Sequence, residues 1–497
     1  MRSWKDWILF AMALCMVLSL CACAAEGSET VPTGTTGSTA PSVPSETVTV
    51  PTEAPADPLE LYRAAAAALN EAPNWVIDFT ITQQRIVGGE IYTENRTGTA
   101  SYAGRNSEEA TALVAETFTC GSYSTQYIES YLNGSGWCRV NNCNFRCDMT
   151  AEAFLAQQLP GLLLDSSLYS SVTAEETGDG LTLLFNGAAN PESWVADAEN
   201  AELAVARGTL TLDSNGQINA GSYHAQYSKM GTAYSLDVTV QISTPQSLDF
   251  SAQQPVYPEE SAVISDLQIP RYLLRVVGDV YTSRNMSVTY SDTMTSQAFG
   301  RIRTQVSTYN TYGSGDGFMA SLHNQVTLTD PIGATVTTTQ VSTFRDGLYS
   351  YRYNDGDLTT DSNMTAAQIR TSWEDSILSA LIMMNYIAGA TIEDAGDTLY
   401  ITFTGNDTFA RSLCSGIYAL FGMDLDSYAT SYSTQYINGY LTIDKATGLP
   451  TAMGMGLSRS HVINSITYQL TYQLDQTLEL SSPNAHGNIT GEPAVSQ

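Results

Sequence analysis

The side chains that usually carry chemistry are sparse in this 497-residue chain. Its four histidines, His224, His323, His461 and His486, are scattered, and no two stand at metal-ligand spacing. The sequence has no Gly-x-Ser-x-Gly elbow and no Ser-x-x-Lys, so two common nucleophile arrangements lack their signs. Gly313-Ser314-Gly315-Asp316-Gly317 has the composition of a phosphate loop but lies between strand patterns and reads as a strand-to-strand loop. Asn354-Asp355-Gly356-Asp357 begins like a calcium loop and lacks the later bidentate acid, so a surface turn is expected. Two acidic pairs, Glu108-Glu109 and Glu175-Glu176, have the right groups for acid–base work. Neighbours on a strand point to opposite faces, which makes the first pair a poor dyad. Cys138, Cys143 and Cys147, with Cys120 upstream, look superficially like zinc ligands, but a zinc knuckle is two closely spaced pairs and no histidine is near. In an exported chain these four are candidate disulfide cysteines, and free buried thiols fit the sequence as well. Cys414, among Phe409, Leu413, Ile417 and Phe421, reads as a small core residue. The expectation is a protein that is not an enzyme, with no catalytic residue, no metal and no cofactor.

Cys23 is the exception. Arg2 and Lys5 precede an uncharged run from Trp7 to Leu20, the order found in a secretory signal peptide. The run is short for a membrane-spanning helix, which needs ~20 residues. It ends in Leu20-Cys21-Ala22-Cys23, which looks like a bacterial lipobox with Cys23 as the lipid-attachment residue. Two acyl chains there would hold the protein stably on a membrane, because each buried methylene contributes ~0.8 kcal/mol. Residues 1–22 are thus expected to be removed, leaving an extracytoplasmic protein anchored to the cell membrane.

The whole chain has a formal net charge of −30. Asp6, Arg2 and Lys5 are lost with the leader, and only two lysines, Lys229 and Lys445, remain. Such a chain has no electrostatic footprint for nucleic acid. Its expected partner is the membrane, through the anchor.

Residues 24–57 contain no aromatic, lysine or arginine residue, but have prolines at 32, 41, 44, 51 and 55. They cannot bury enough apolar surface to offset their ordering entropy, so residues 23–56 read as a lipid-anchored disordered stalk. Beyond the stalk the sequence repeats weakly and in order. Trp75–Phe79 matches Met286–Tyr290, Gly178–Phe185 matches Gly396–Phe403, Gly208–Asp213 matches Gly439–Asp444, and Ser247–Ser251 matches Thr477–Ser481. The spacing predicts two copies, 57–253 and 266–482, with a linker over 254–265 and a disordered tail over 483–497.

Each copy begins with helical signals; in the first, Asp57-Pro58-Leu59-Glu60 offers an N-cap, a first-turn proline and a capping-box acid. Strict alternation follows, with Trp75, Ile77, Phe79 and Ile81 on one face of a half-buried strand. A helix is expected mid-copy, best seen in Ile369, Trp373, Ile377 and Leu381, and a second at 190–204 and 407–422. The closing strands alternate again at Leu236, Val238, Val240 and Ile242 and at Tyr468, Leu470, Tyr472 and Leu474. Alternation of this kind marks an antiparallel sheet covered on one face.

This element order, behind a lipobox, resembles the Lol-type and mycobacterial LppX-type carriers of the bacterial envelope. The resemblance covers both copies and rests on element order, while the duplication and the long stalk depart from those families. It implies an α+β fold: two tandem copies of a curved antiparallel sheet, an unclosed barrel, with a leading helix and inserted helices on the concave face. It also implies a lipid or other apolar ligand held between sheet and helices, touched by Ile369, Trp373, Ile377 and Leu381. The alternative is an envelope-tethered scaffold or protein-interaction module with no ligand cavity.

Overall fold

The computed structural model describes residues 57–491, apart from 106, 108, 159–168, 178–179, 189–200, 251–252, 259–260, 379–386, 409, 412–413 and 415–430. The leader, Cys23, the stalk and Leu381 lie outside the described residues. Helix α1 (Pro58–Glu71) starts where the capping pattern places it: the Asp57 carboxylate accepts from the Leu59 amide at 3.1 Å. Its buried residues, Tyr62, Ala65, Ala66 and Leu69, fall at helical spacing on one face.

Two runs of strands follow. The first comprises β1 (Trp75–Val87), β2 (Glu90–Ala103), β3 (Thr111–Cys120), β4 (Tyr123–Leu132), β5 (Ser135–Val140) and β6 (Cys143–Asp148). Helix α2 (Ala151–Gln158) then precedes β7 (Tyr169–Thr177), β8 (Gly180–Ala188), β9 (Ala201–Leu212), β10 (Ile218–Lys229) and β11 (Thr232–Ser243). After β12 (Ala262–Ile264) and helix α3 (Gln268–Thr282) come β13 (Met286–Ser296), β14 (Arg301–Tyr312), β15 (Met319–Thr329), β16 (Thr335–Arg345), β17 (Leu348–Tyr353) and β18 (Thr359–Asp361). Helix α4 (Ala366–Leu378) leads to β19 (Ile387–Asp394), β20 (Thr398–Gly405), β21 (Ser431–Asp444), β22 (Pro450–Ile463) and β23 (Ile466–Leu480), and α5 (Ala485–Gly491) ends the described chain.

All 23 strands of the described residues form one sheet. This corrects the expectation of two tandem sheets, each with its own inserted helices. Strand β1 pairs with β2 and β11, and β13 pairs in the same way with β14 and β23. Between these runs lies β12, parallel to β6 through Ala262↔Phe145 and to β19 through Val263↔Gly389. The segment 254–265 is therefore not a free linker. It supplies the strand that makes the sheet continuous, and its Tyr257 stacks on Trp137 with centroids 4.8 Å apart.

The predicted alternation does position the core: Ile77 faces Ile242 and Phe79 faces Val240 across β1 and β11, all four buried. Other expectations fail. The helix expected at 190–204 gives way at Ala201 to β9, while 189–200 are outside the described residues. Only fragments of 407–422 are described. The expected disordered tail includes α5, whose Ala485 and Ile489 are fully buried. Helix α3 is not laid on a sheet face by one stripe. It buries ten residues around its circumference, including Arg271 and Asp279. It packs on β2, β3 and β4 from one run and on β19 and α4 from the other. Gly278 permits this approach, since a Cβ there would stand 2.4 Å from the Cys120 Cβ.

Candidate functional site

The residues singled out by sequence spacing do not converge. The four candidate disulfide cysteines are buried and form no disulfide, the second of the two readings the sequence left open. Cys138, Cys143 and Cys147 share the β5–β6 hairpin, but Cys138 faces Phe145, Cys143 faces Val140 and Cys147 faces Gly136. On one face such residues are diagonal neighbours ~7–8 Å apart, too far for the ~3.8 Å Cβ separation of a disulfide. Cys120 instead lies against α3, its thiol 3.7 Å from the Arg275 carbonyl. Burial pushes Cys143 up to about 12 and Cys138 well above the ordinary thiol range, which suits packing rather than nucleophilic chemistry. His224 meets Asp237 at 2.7 Å on neighbouring strands, with no third partner among the described residues that would make a relay. Among the described residues no group of His, Cys, Asp and Glu is arranged to hold a metal.

The helix of the predicted apolar stripe is α4. Thr365 and Gln368 cap it reciprocally, the Thr365 amide donating to Gln368 Oε1 at 2.9 Å. Ile369 and Trp373 are buried with Phe318, Ala320, Phe344 and Tyr349 in a cluster of their own, and Ile377 belongs to the main core. Trp373 meets Tyr309 edge-on at 5.7 Å. This geometry is that of a packed helix. Arg370 fastens it to the end of α3, donating to the Tyr281 and Ser283 carbonyls at 2.9 Å each.

Beside Trp373, burial pushes the Glu374 carboxyl up to about 7 against the opposing pull of Arg370. A raised carboxyl stabilises the fold fully below its unfolded value and loses that contribution as pH rises through the folded one. Between pH 4.5 and 7 the loss should be on the order of 3 kcal/mol. Urea unfolding of wild type and Glu374→Gln at pH 5 and pH 8 measures it. Equal pH dependence in the two proteins would show that Glu374 contributes nothing to it.

The side chain with most to say about a ligand is Arg459, which the sequence reading passed over. On β22 the residues Met453, Met455, Leu457, Arg459 and His461 alternate onto one buried face. Across the ladders Arg459 faces Leu470, Leu457 faces Ile437, and His461 faces Tyr432. Arg459 is 2% exposed, and among the described residues none of its three guanidinium nitrogens is met by an oxygen acceptor; the Cys414 thiol lies beside it. Its charge rests 4.6 Å above the Tyr432 ring. Burial raises the Cys414 thiol to about 11, with Arg459 pulling the other way. Burial and the same cation hold His461 below its usual range. A guanidinium sunk in an apolar face without an acceptor is costly unless an anion meets it. The planar fork suits a carboxylate or phosphate, which it can grip with two parallel bonds.

Among the described residues no helix is long and apolar enough to cross a membrane. No family model matches the sequence, and no curated protein does. Solved structures similar to parts of the chain include LprF from Mycobacterium bovis, 10% identical over 37% of this chain and 90% of that one, with a TM-score of 0.23. A DUF1329 family protein from Desulfovibrio piger is 12% identical over 40% of this chain and 100% of its own, with a TM-score of 0.19. OccK2 from Pseudomonas aeruginosa matches 83% of this chain and 98% of its own at 8% identity, with a TM-score of 0.10. At such scores none of these likenesses carries an argument about this chain.

Proposed function

We propose that this is a non-enzymatic, extracytoplasmic binding protein, tethered through Cys23, that holds an amphipathic anion such as a fatty acid. The ligand's head pairs with Arg459 and its chain lies against the surrounding apolar face. The observation that carries this reading is the Arg459 guanidinium, buried and, among the described residues, without an oxygen acceptor. An anionic head with an apolar tail is the ligand class that satisfies both features. The alternative, a scaffold without a ligand cavity, is favoured by the close packing of α3 and α4.

Titrating the full-length protein with a fluorescent fatty acid and its methyl ester separates the two readings. The acid should bind, and the ester, lacking the charge, should bind roughly tenfold more weakly or worse. Arg459→Leu should abolish the preference for the acid. Without ligand it should also unfold later than wild type, by about 1–3 kcal/mol, because an unsatisfied buried group is removed. Equal binding of acid and ester would reject the role of Arg459, and no uptake of either would leave the scaffold.

A further inference from the structure

We propose that the ligand of the Arg459 face carries a hydroxyl at the far end of its chain and that Gln476 receives it, a proposal that rests on the reading of Arg459 as the seat of the anionic head. Gln476 interrupts β23 much as Arg459 interrupts β22. Leu470, Tyr472, Leu474, Leu478 and Leu480 hold the other buried positions in that stretch of the strand. Gln476 takes its place among them at 2% exposure, and its Oε1 has no hydrogen-bond partner among the described residues.

Strand register fixes where the two polar side chains stand. Arg459 faces Leu470, Leu457 faces Tyr472, Met455 faces Leu474 and Met453 faces Gln476. These four rows share one face, because their residues are two apart along each strand. From Leu470 to Gln476 the strand rises about 20 Å, at ~3.4 Å per residue. The rows between hold Leu457, Tyr472, Met455 and Leu474, all buried. One acyl chain reaches across half of the ~30 Å hydrocarbon core of a bilayer, so a fully extended chain of membrane-lipid length covers such a distance. Met453 and Met455 can turn aside for it, since methionine repacks at little cost.

The neighbours of Gln476 leave its carbonyl unserved. Leu474 and Leu478 flank it on β23, Met453 lies opposite on β22 and Tyr290 opposite on β13. The Tyr290 hydroxyl donates to Asp292 at 2.6 Å, and Asp292 also accepts from Arg303 at 2.9 Å. A trapped water needs several polar partners, which these side chains do not supply. A plain methyl end would leave the buried acceptor unpaired, and a carboxylate would bring a charge with no cation to meet it. A hydroxyl donates to Oε1 and can also accept from the amide nitrogen of the same side chain.

Isothermal titration of the full-length protein with hexadecanoate, ω-hydroxyhexadecanoate and α-hydroxyhexadecanoate tests the proposal. The ω-hydroxy acid should bind about tenfold more tightly than hexadecanoate, because a site that bonds a hydroxyl disfavours the analogue lacking it. The α-hydroxy acid, with its hydroxyl beside the head, should gain nothing. Gln476→Leu should remove the ω-hydroxyl advantage while keeping affinity for hexadecanoate, and Gln476→Met serves if the leucine variant does not fold. Equal binding of the plain and ω-hydroxy acids, an advantage that survives in the variant, or an equal gain from the α-hydroxyl would overturn the role of Gln476 and leave Arg459 as the head site. Failure of every acid to bind would overturn the Arg459 reading and this proposal with it.

Discussion

Truncating Arg271 to alanine is expected to lower folding stability by ~3–5 kcal/mol. Its guanidinium is enclosed between β3 and β4, bonding Glu116 Oε1 at 2.6 Å and Glu129 Oε1 at 3.2 Å, and it lies 4.4 Å from the Tyr127 ring centroid. Both carboxylates are fully buried. Burial opposes the guanidinium's charge, but the two carboxylates prevail and hold Arg271 well above its ordinary range. Removing it leaves Arg96 to serve Glu116, at 3.0 Å, and takes from Glu129 the guanidinium that meets its Oε1 at 3.1 Å. An uncompensated charge in the interior is the reason for the size of the effect. The Glu129→Gln background should recover a large part of the loss, because the two residues act as one unit. Urea unfolding of the single and double variants measures both. A loss below about 1 kcal/mol in Arg271→Ala would mean that water or relaxation already serves Glu129.

Trp373→Ala should produce a loss of similar size, ~3–5 kcal/mol, through a cavity instead of a charge. Trp373 is 6% exposed and fills the space between Tyr309, Phe318 and Phe344. If α4 were a loosely held plug displaced by ligand, the loss would be smaller and fatty-acid uptake would change. The packing instead predicts a large loss of stability with unchanged uptake by the molecules that remain folded, the reverse of the pattern expected for Arg459→Leu. Unfolding and dye binding measured on the same two variants distinguish anchor from plug. A small stability loss with altered uptake would show that ligand displaces α4.

Local patterns made part of this architecture legible. The Asp57 cap, the β1 alternation from Trp75 and the β11 alternation from Leu236 each depend on neighbours a few residues away, and each is where its pattern puts it. The Ala-rich stretch before Gly208 reads as helix, yet from Ala201 it pairs with β10, because a waiting strand overrides weak propensity. β12 has three residues and no periodicity to read, and only its position between β6 and β19 makes it a strand. Arg271 meets partners 142 and 155 positions away, a relation no local spacing reveals. Arg459 was closer to legible: it breaks the apolar alternation of β22 where the period demands a buried residue.

The seam at β12 also has a meaning in symmetry. Counted from β1 and β13, which pair alike, β6 and β18 hold the same place in their runs, as do β7 and β19. The seam brings the β6 edge to the β19 edge, two unlike edges running the same way, and not an edge to its own twin. That is a head-to-tail junction, which by itself does not close and leaves the same complementary pair, β18 and β7, at the two ends. Their form keeps such a series from continuing: β18 is only three residues long, and β7 carries the exposed Glu175 and Glu176. Among the described residues the sheet thus ends in two edges of different form, one short and one acidic.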